Sequence, residues 1–438
     1  MDPISITGLL FILLFALLFS GVHVAFAIGG LSVALCMYFL GPQSLAMVPL
    51  RALRSAASFE YTAIPMFIFM ASILQRSGVA ESLFESMSKF FGRLKGGLAG
   101  GTIGICTIFA AMAGISGAAT ISMGMIAIPE MVKRGYPKRL AMGAVAAGGS
   151  LGILIPPSVT MIIYGVISGT SIGQLYVAGI LPGLLLAALF TIYVVVYSNV
   201  SSTSVDISGE RYTWTEKLLS LRGVIVPALL IAAVLGSMLS GFASIGEAAA
   251  VGALGAMFFG FFTIRDRYRA YIPLLRECSI ETLKHTCMII WIIISATALS
   301  TFYTTIGAPR VIEAAVLSLD VSPYMILAMM MLILLLLGTV LDTVGILMIT
   351  VPIYAPIADT LGFHPVWFGI LYIINMEIGF LTPPFGINLF YLRGVVPSGT
   401  TMSDIYASVI PFIAVMLFGL LICAAFPQIS LILPSMLF

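Results

Sequence analysis

Apolar residues run through this chain in long blocks, and polar residues gather in the gaps between them. Blocks near 4–20, 22–40, 61–75, 139–168, 174–198, 223–240, 245–264, 286–303, 365–394 and 404–427 each read as a membrane span. Two further apolar stretches, 96–130 and 323–358, are longer than one crossing needs and have glycine-rich centres. The longest polar stretch, 199–222, reads as a central linker. This pattern predicts an all-α polytopic membrane protein. A β-barrel is excluded, because its strands would alternate polar and apolar residues over about 10 positions. Composition agrees: 60% of residues are hydrophobic and 9% charged, where a soluble domain carries about 25% charged residues.

Charge then orients the blocks. Arg76, Lys89, Arg93 and Lys95 precede the 96–130 stretch, and Lys133, Arg134, Lys138 and Arg139 follow it. Both flanks are therefore expected in the cytoplasm, so the stretch should enter and leave on one side, as a re-entrant hairpin or two short full spans; a buried turn at "AGISGAAT" fits the re-entrant form. The 323–358 stretch has no Lys or Arg between Arg310 and Arg393 and should open to the outside. Arg211, Lys217 and Arg222 of the linker, and the basic segment 265–284, read as cytoplasmic; both termini fall outside. The start of the chain lacks a basic n-region and reads as a retained span. A net charge of +2 suggests no nucleic-acid partner. Five scattered cysteines, with no CxxC pair, read as buried small hydrophobes.

Two blocks carry a defect. "GILIPPSVTMIIY" (152–164) and "GFLTPPFGINLFY" (379–391) each hold adjacent prolines, which must break a helix. They match one another at an offset of 383 − 156 = 227. "ATISMGMIAIP" (119–129) matches "DTVGILMITVP" (342–352), "GYP" at 135–137 answers "GFHP" at 362–365, Gly78 pairs with Gly307, and "SG" at 20–21 pairs with "SG" at 240–241. Ordered matches at offsets of 220 to 229 imply two related halves. Residues 1–200 would form the first repeat, with scaffold helices in 4–75, hairpin 96–130 and broken helix 139–168; 201–222 would be a cytoplasmic linker. Residues 223–438 would form the second, with scaffold 223–303, hairpin 323–358 and broken helix 365–394. An odd number of crossings per half inverts the second, the plan of secondary transporters. A break frees carbonyls that can coordinate Na⁺ and exposes half-helix N-termini that attract anions. The hairpin tips, with Gly114, Ser116, Gly117 and Thr120 in one and Gly338, Thr339, Asp342 and Thr343 in the other, would face the breaks.

Through "IPMFIFMASILQRSGVAESL" (64–83), "GGLAGGTIGICTIFAAMAGISGAATISMG" (96–124), "GYPKRLAMGAVAAGGSLGILIPPS" (135–158) and "GFLTPPFGINLF" (379–390), the whole chain resembles the large membrane subunit of tripartite ATP-independent periplasmic (TRAP) transporters. The resemblance implies an elevator-type, ion-transporter-superfamily-like importer in the bacterial inner membrane, driven by Na⁺ and needing no other cofactor. It implies a small four-helix membrane subunit, here expected as a separate polypeptide, and a periplasmic binding protein that delivers an organic acid anion. By the same resemblance, one Na⁺ site would use Gly114, Ser116 and Gly117 with Gly152 and Ile155. The other would use Thr339, Asp342 and Thr343 with Gly379 and Thr382. The substrate would lie near Pro156, Pro157 and Ser158 and near Pro383, Pro384 and Asn388. The residues alone leave open a stand-alone Na⁺-coupled anion symporter or antiporter of the same fold.

Individual polar groups carry competing readings. Asp342 is either an ion ligand or the N-cap of the run that begins at Thr343. Glu377, inside an apolar run, would pair with a scaffold group, line the substrate path or carry a proton, a structural hydrogen bond being the expected role. Glu247 is expected to serve a helix N-terminus, and Glu60 to face either the interface or a partner. Ser158 and Asn388 either touch substrate or hydrogen-bond between helices. No HExxH pattern and no paired intramembrane aspartates occur, so an enzyme is not expected.

Overall fold

A computed structural model describes residues 2–91, 94–114, 116–201, 212–263, 267–318 and 320–438, with only the backbone for Arg222 and residues 267–269. Among the described residues the regular structure is entirely helical. Arg93, Arg211, Arg265 and the 202–211 part of the expected linker lie outside them.

The chain opens with α1 (Pro3–Phe19), α2 (Val24–Leu35) and α3 (Met47–Ala56). It then bends by 56° into α4 (Ala63–Arg76), followed by α5 (Val79–Phe91). Next come α6 (Gly97–Ala113) and α7 (Ser116–Lys133), an antiparallel hairpin, then α8 (Lys138–Ser150), α9 (Val159–Ser168) and α10 (Ile172–Val200). Beyond the linker lie α11 (Trp214–Ser220), α12 (Arg222–Leu239), α13 (Ile245–Thr263), α14 (Arg267–Thr305) and α15 (Ala308–Leu317). A second hairpin, α16 (Pro323–Gly338) and α17 (Thr343–Thr360), precedes α18 (Pro365–Leu381), α19 (Ile387–Arg393), α20 (Met402–Ala425) and α21 (Gln428–Leu437). Among the described residues, five helices are long and apolar enough to cross a membrane singly, or up to seven if each bent pair is one span. The hairpin arm α16 and the pieces around the proline breaks are shorter, as expected where a crossing is interrupted.

The expected blocks reappear as helices, with three departures. The 286–303 block belongs to α14, a single helix of 39 residues that also takes in the basic segment expected to be a connector. Arg, Glu and Lys are good helix formers, so charge alone does not end a helix. Glu277 and Glu281 on that segment pair with Arg76 of α4, each at 2.9 Å. Second, α3, α5 and α15 are short and two-faced, and a long hydropathy window averages over them. Third, α11 folds within the expected linker, closed by a capping box of Thr213 and Glu216. Glu247 does serve its helix N-terminus: its carboxylate accepts from the Ser244 backbone N–H and hydroxyl, both at 2.7 Å. Glu60 accepts from the Ser58 hydroxyl two residues before it.

Small residues set the close packing. Gly148 of α8 lies against Cys106 of α6, Gly143 against Phe412 of α20, and Gly149 against Thr120 of α7. The hairpins and broken helices, α6 to α10 and α16 to α20, pack together, while α2 and α13 pack on α14 and α4.

Candidate substrate and ion site

Each hairpin tip seats on the break of its own half. Helix α6 ends at Gly114, whose φ of +65° reverses the chain without the Cβ clash an L side chain would bring. The Gly114 carbonyl accepts from the Val159 N–H at 3.3 Å. A Cβ at Gly114 would stand 2.9 Å from the Pro157 carbonyl oxygen. Between α8 and α9 the chain makes one tight turn over Leu151–Ile153 and passes through a cis Pro156-Pro157 bond. Ser158 then caps α9: its hydroxyl donates to the Ile153 carbonyl at 2.6 Å and accepts from the Met161 N–H at 3.3 Å. Tyr176 of α10 donates to the Ser158 carbonyl at 3.2 Å. Ile155 packs its side chain on Gly183 of α10. Protein groups thus satisfy much of the backbone that the prolines free.

The second tip is built differently. Thr339 caps the end of α16, its hydroxyl donating to the Leu336 carbonyl at 2.7 Å. Asp342 caps the start of α17: Oδ2 accepts from the Val344 and Gly345 N–H groups at 3.1 and 3.3 Å. Its Oδ1 is buried and has no hydrogen-bond partner among the described residues. The capping reading therefore accounts for one oxygen and leaves the other unpaired. The facing break begins at Thr382, whose hydroxyl donates to the Ile378 carbonyl at 2.7 Å. It runs through a cis Pro383-Pro384 bond, and Tyr406 donates to the Pro384 carbonyl at 2.9 Å. Gly338 and Gly379 meet backbone to backbone; a Cβ at Gly379 would stand 2.9 Å from the Gly338 Cα.

The two halves are also cross-linked. Asn388 of α19, wholly buried, donates to the Ala146 carbonyl of α8 at 2.8 Å and accepts from the Thr120 hydroxyl of α7 at 2.7 Å. The Tyr391 ring covers Gly117. Both hydrogen-bonding ends of the Asn388 amide are thus engaged between helices. Asn388→Leu should remove both bonds between the halves and destabilise the protein by about 1–3 kcal/mol. A thermal-melt comparison of the purified variants checks this, and an unchanged melting temperature would show the cross-link to be idle.

A cavity of 240 Å³ lies between the two tips, the two broken helices, α4 and α14. Of the residues expected at the ion and substrate sites, Ser116, Gly117, Asp342 and Thr343 line it. Gly114, Gly152, Ile155, Pro156, Pro157, Ser158, Thr339, Gly379, Thr382, Pro383, Pro384 and Asn388 do not. The sequence reading missed Ser72, Gln75, Glu281 and His285, which supply most of the remaining polar lining. Glu281 accepts from the Ser72 hydroxyl and from Arg76, each at 2.9 Å. The i, i+4 spacing of Glu281 and His285 was the available signal, in a segment assigned to a connector.

One expectation changes. Glu377, expected to make a structural hydrogen bond, is wholly buried, and neither carboxylate oxygen has a partner among the described residues. Burial in an apolar helix packing supplies no donor there. The spelling GxSxG does occur, at Gly148 to Gly152, but Ser150 is buried and its hydroxyl turns back to the Ala147 carbonyl at 2.8 Å. Among the described residues no base engages it, and its hydroxyl stays within the helix.

A family model described as "Tripartite ATP-independent periplasmic transporter, DctM component" matches residues 11–429. The chain is 35% identical to the C4-dicarboxylate TRAP transporter large permease protein of Pseudomonas aeruginosa, covering 93% of this chain and 94% of that protein. It is 33% identical to the isethionate TRAP transporter permease protein DctMQ of Oleidesulfovibrio alaskensis, over 94% of this chain and 64% of that longer protein. In fold it is similar to the crystal structure of the Alcanivorax borkumensis YdaH transporter, with a TM-score of 0.61 at 15% identity, covering 88% of this chain and 89% of that one. These relatives are transporter permeases, not enzymes. A tip-and-break architecture, long apolar helices and a match over nearly the full length converge: this multi-pass membrane protein belongs to the family of TRAP transporter large permease subunits.

Proposed function

We propose that the chain is the transporting subunit of a Na⁺-driven importer that receives an organic acid anion from a periplasmic binding protein. A small four-helix membrane subunit completes the complex in the bacterial inner membrane. The longer DctMQ relative fits this reading, as a large and a small subunit in one chain. The named substrates of both relatives, a C4-dicarboxylate and the sulfonate isethionate, are organic anions.

One observation carries the reading: the N-termini of α7 and α17 open onto the same cavity, at Ser116–Gly117 and Thr343–Val344. Two helix N-termini present partial positive charge to an anion where, among the described residues, no lysine or arginine lines the wall. The unpartnered Oδ1 of Asp342 gives a cation a carboxylate ligand at the rim of that cavity. Gly114, Ser116, Gly117, Gly152 and Ile155 would serve the first Na⁺, and Thr339, Asp342, Thr343, Gly379 and Thr382 the second, largely through backbone oxygens. Pro156, Pro157, Ser158, Pro383, Pro384 and Asn388 then hold the breaks rather than the substrate.

The inverted repeat, spanning 1–200 and 223–438, gains support from backbone geometry. Positive-φ glycines recur in pairs: Gly21 and Gly241, Gly78 and Gly307, Gly135 and Gly362, Gly169 and Gly399. Their offsets are 241 − 21 = 220, 307 − 78 = 229, 362 − 135 = 227 and 399 − 169 = 230, around the 227 of the two cis proline pairs. In an elevator cycle the hairpins and broken helices would move as one body against α1, α2, α12 and α13.

Reconstitution in liposomes tests the function. Succinate uptake is expected only with an inward Na⁺ gradient, the small subunit and the cognate binding protein together. Uptake of free succinate by this chain alone would favour a stand-alone symporter and overturn the tripartite reading.

A further inference from the structure

The 240 Å³ cavity has two kinds of wall. The tips bring the N-termini of α7 and α17 to one of them, at Ser116–Gly117 and Thr343–Val344. Helices α4 and α14 form another. On α4 the lining residues are Ile68, Ala71, Ser72 and Gln75, at i, i+3, i+4 and i+7. On α14 they are Glu281, His285, Met288 and Ile289, at i, i+4, i+7 and i+8. Each set is a single helix face. Each face also changes character along its length, from apolar to polar on α4 and from polar to apolar on α14. Ser72 bonds to Glu281 and Arg76 to Glu277, so the two helices run antiparallel and their polar halves coincide. A mostly apolar wall with a few polar groups at one end fixes which way round a ligand lies.

The groups of the polar half are not equally available. Oε2 of Glu281 accepts from the Ser72 hydroxyl and from Arg76, each at 2.9 Å. Arg76 also pairs with Glu277 at 2.9 Å. These side chains hold one another. The side chains of Gln75 and His285 make no hydrogen bond among the described residues, yet both line the cavity. A glutamine amide has two N–H donors, and an imidazole keeps at least one in either charge state. The groups left over on this wall can therefore donate, beside an acid whose charge Arg76 already meets.

We propose that Gln75 and His285 are specificity-determining residues that bind the second, hydrogen-bond-accepting end of an organic anion. The first charged group of that anion lies at the helix N-termini of the tips, so the inference rests on the anion reading of the same cavity. The class of ligand this selects is a short dicarboxylate. A monocarboxylate of equal length would displace the water from both donors and give them no partner.

Direct binding tests this. Dissociation constants for succinate and for butyrate are measured on the full chain with its small subunit in lipid nanodiscs, at saturating Na⁺. Butyrate carries a methyl group where succinate has its second carboxylate. The wild type should bind succinate at least about tenfold more tightly than butyrate. Gln75→Leu and His285→Leu should each weaken succinate binding about fivefold or more, and change butyrate binding by less than about twofold. Gln75→Glu keeps the size and polarity of the side chain should the leucine variant not fold. It exchanges donors for a like charge and should weaken succinate more than butyrate. Equal binding of the two probes by the wild type, or variants that weaken both alike or neither, would overturn the proposal and leave the anion site at the tips standing. A wild type that binds neither probe would overturn the anion reading beneath it.

Discussion

Gly114→Val should lower substrate uptake at least about tenfold while leaving membrane insertion and subunit assembly intact. The tip of the first hairpin needs a left-handed residue at this position, φ +65°. An L side chain there is strained by roughly 1–2 kcal/mol. The added Cβ would also stand 2.9 Å from the Pro157 carbonyl oxygen, against backbone that cannot turn aside. Relief comes only by lifting the tip, which breaks the Val159 N–H to Gly114 carbonyl bond, a contribution of about 1 kcal/mol. A combined change near 1.4 kcal/mol already shifts a two-state gate tenfold. Gly104→Ala is the matched control, since a Cβ at that position of the same hairpin arm meets nothing within 4 Å. Uptake should be unaffected there. Equal uptake by Gly114→Val and wild type would mean that the cycle does not require the tip to seat on the break.

Asp342→Asn should raise the Na⁺ concentration for half-maximal uptake at least about tenfold without lowering thermal stability. The substitution separates the two roles of this residue. Asparagine caps helices about as well as aspartate, so the bonds to the Val344 and Gly345 N–H groups should survive. What disappears is the negative charge on the unpartnered Oδ1. At an effective dielectric near 20, a charge in ligand contact with Na⁺ is worth several kcal/mol, most of it offset by dehydration. A remainder of about 1.4 kcal/mol gives the tenfold change. Asp342→Ala removes charge and cap together, and should also cost about 1 kcal/mol of stability, visible as a lower melting temperature. Unchanged Na⁺ dependence in the asparagine variant would leave capping as the whole role.

The breaks were legible because proline acts locally: it removes its own N–H and collides with the turn before it, whatever surrounds it. Asp342 was legible for a similar reason, since an acid in an apolar run is costly anywhere in a membrane. Glu281 and His285 were not, because their helix crosses from a charged segment into an apolar one and hydropathy divides it there. Asn388 was legible as polar but not in its role. Its partners, Ala146 and Thr120, are 242 and 268 residues away in the chain, and no spacing rule links such positions. Glu377 was visible as a buried acid, but the lack of any partner for it exists only once eight helices close around α18.

From its order of residues alone, this protein is an all-helical membrane protein with two hairpins and two proline breaks. Those properties follow from demands each segment meets by itself: enough apolar length to cross lipid, and backbone hydrogen bonds kept within the segment. The tertiary structure alone decided which residues line the cavity and which oxygens stay unpaired. Those outcomes depend on approaches such as Gly338 on Gly379, where two backbones meet because neither carries a side chain. A sequence records that both residues are glycine, and only the packing of distant helices makes them neighbours.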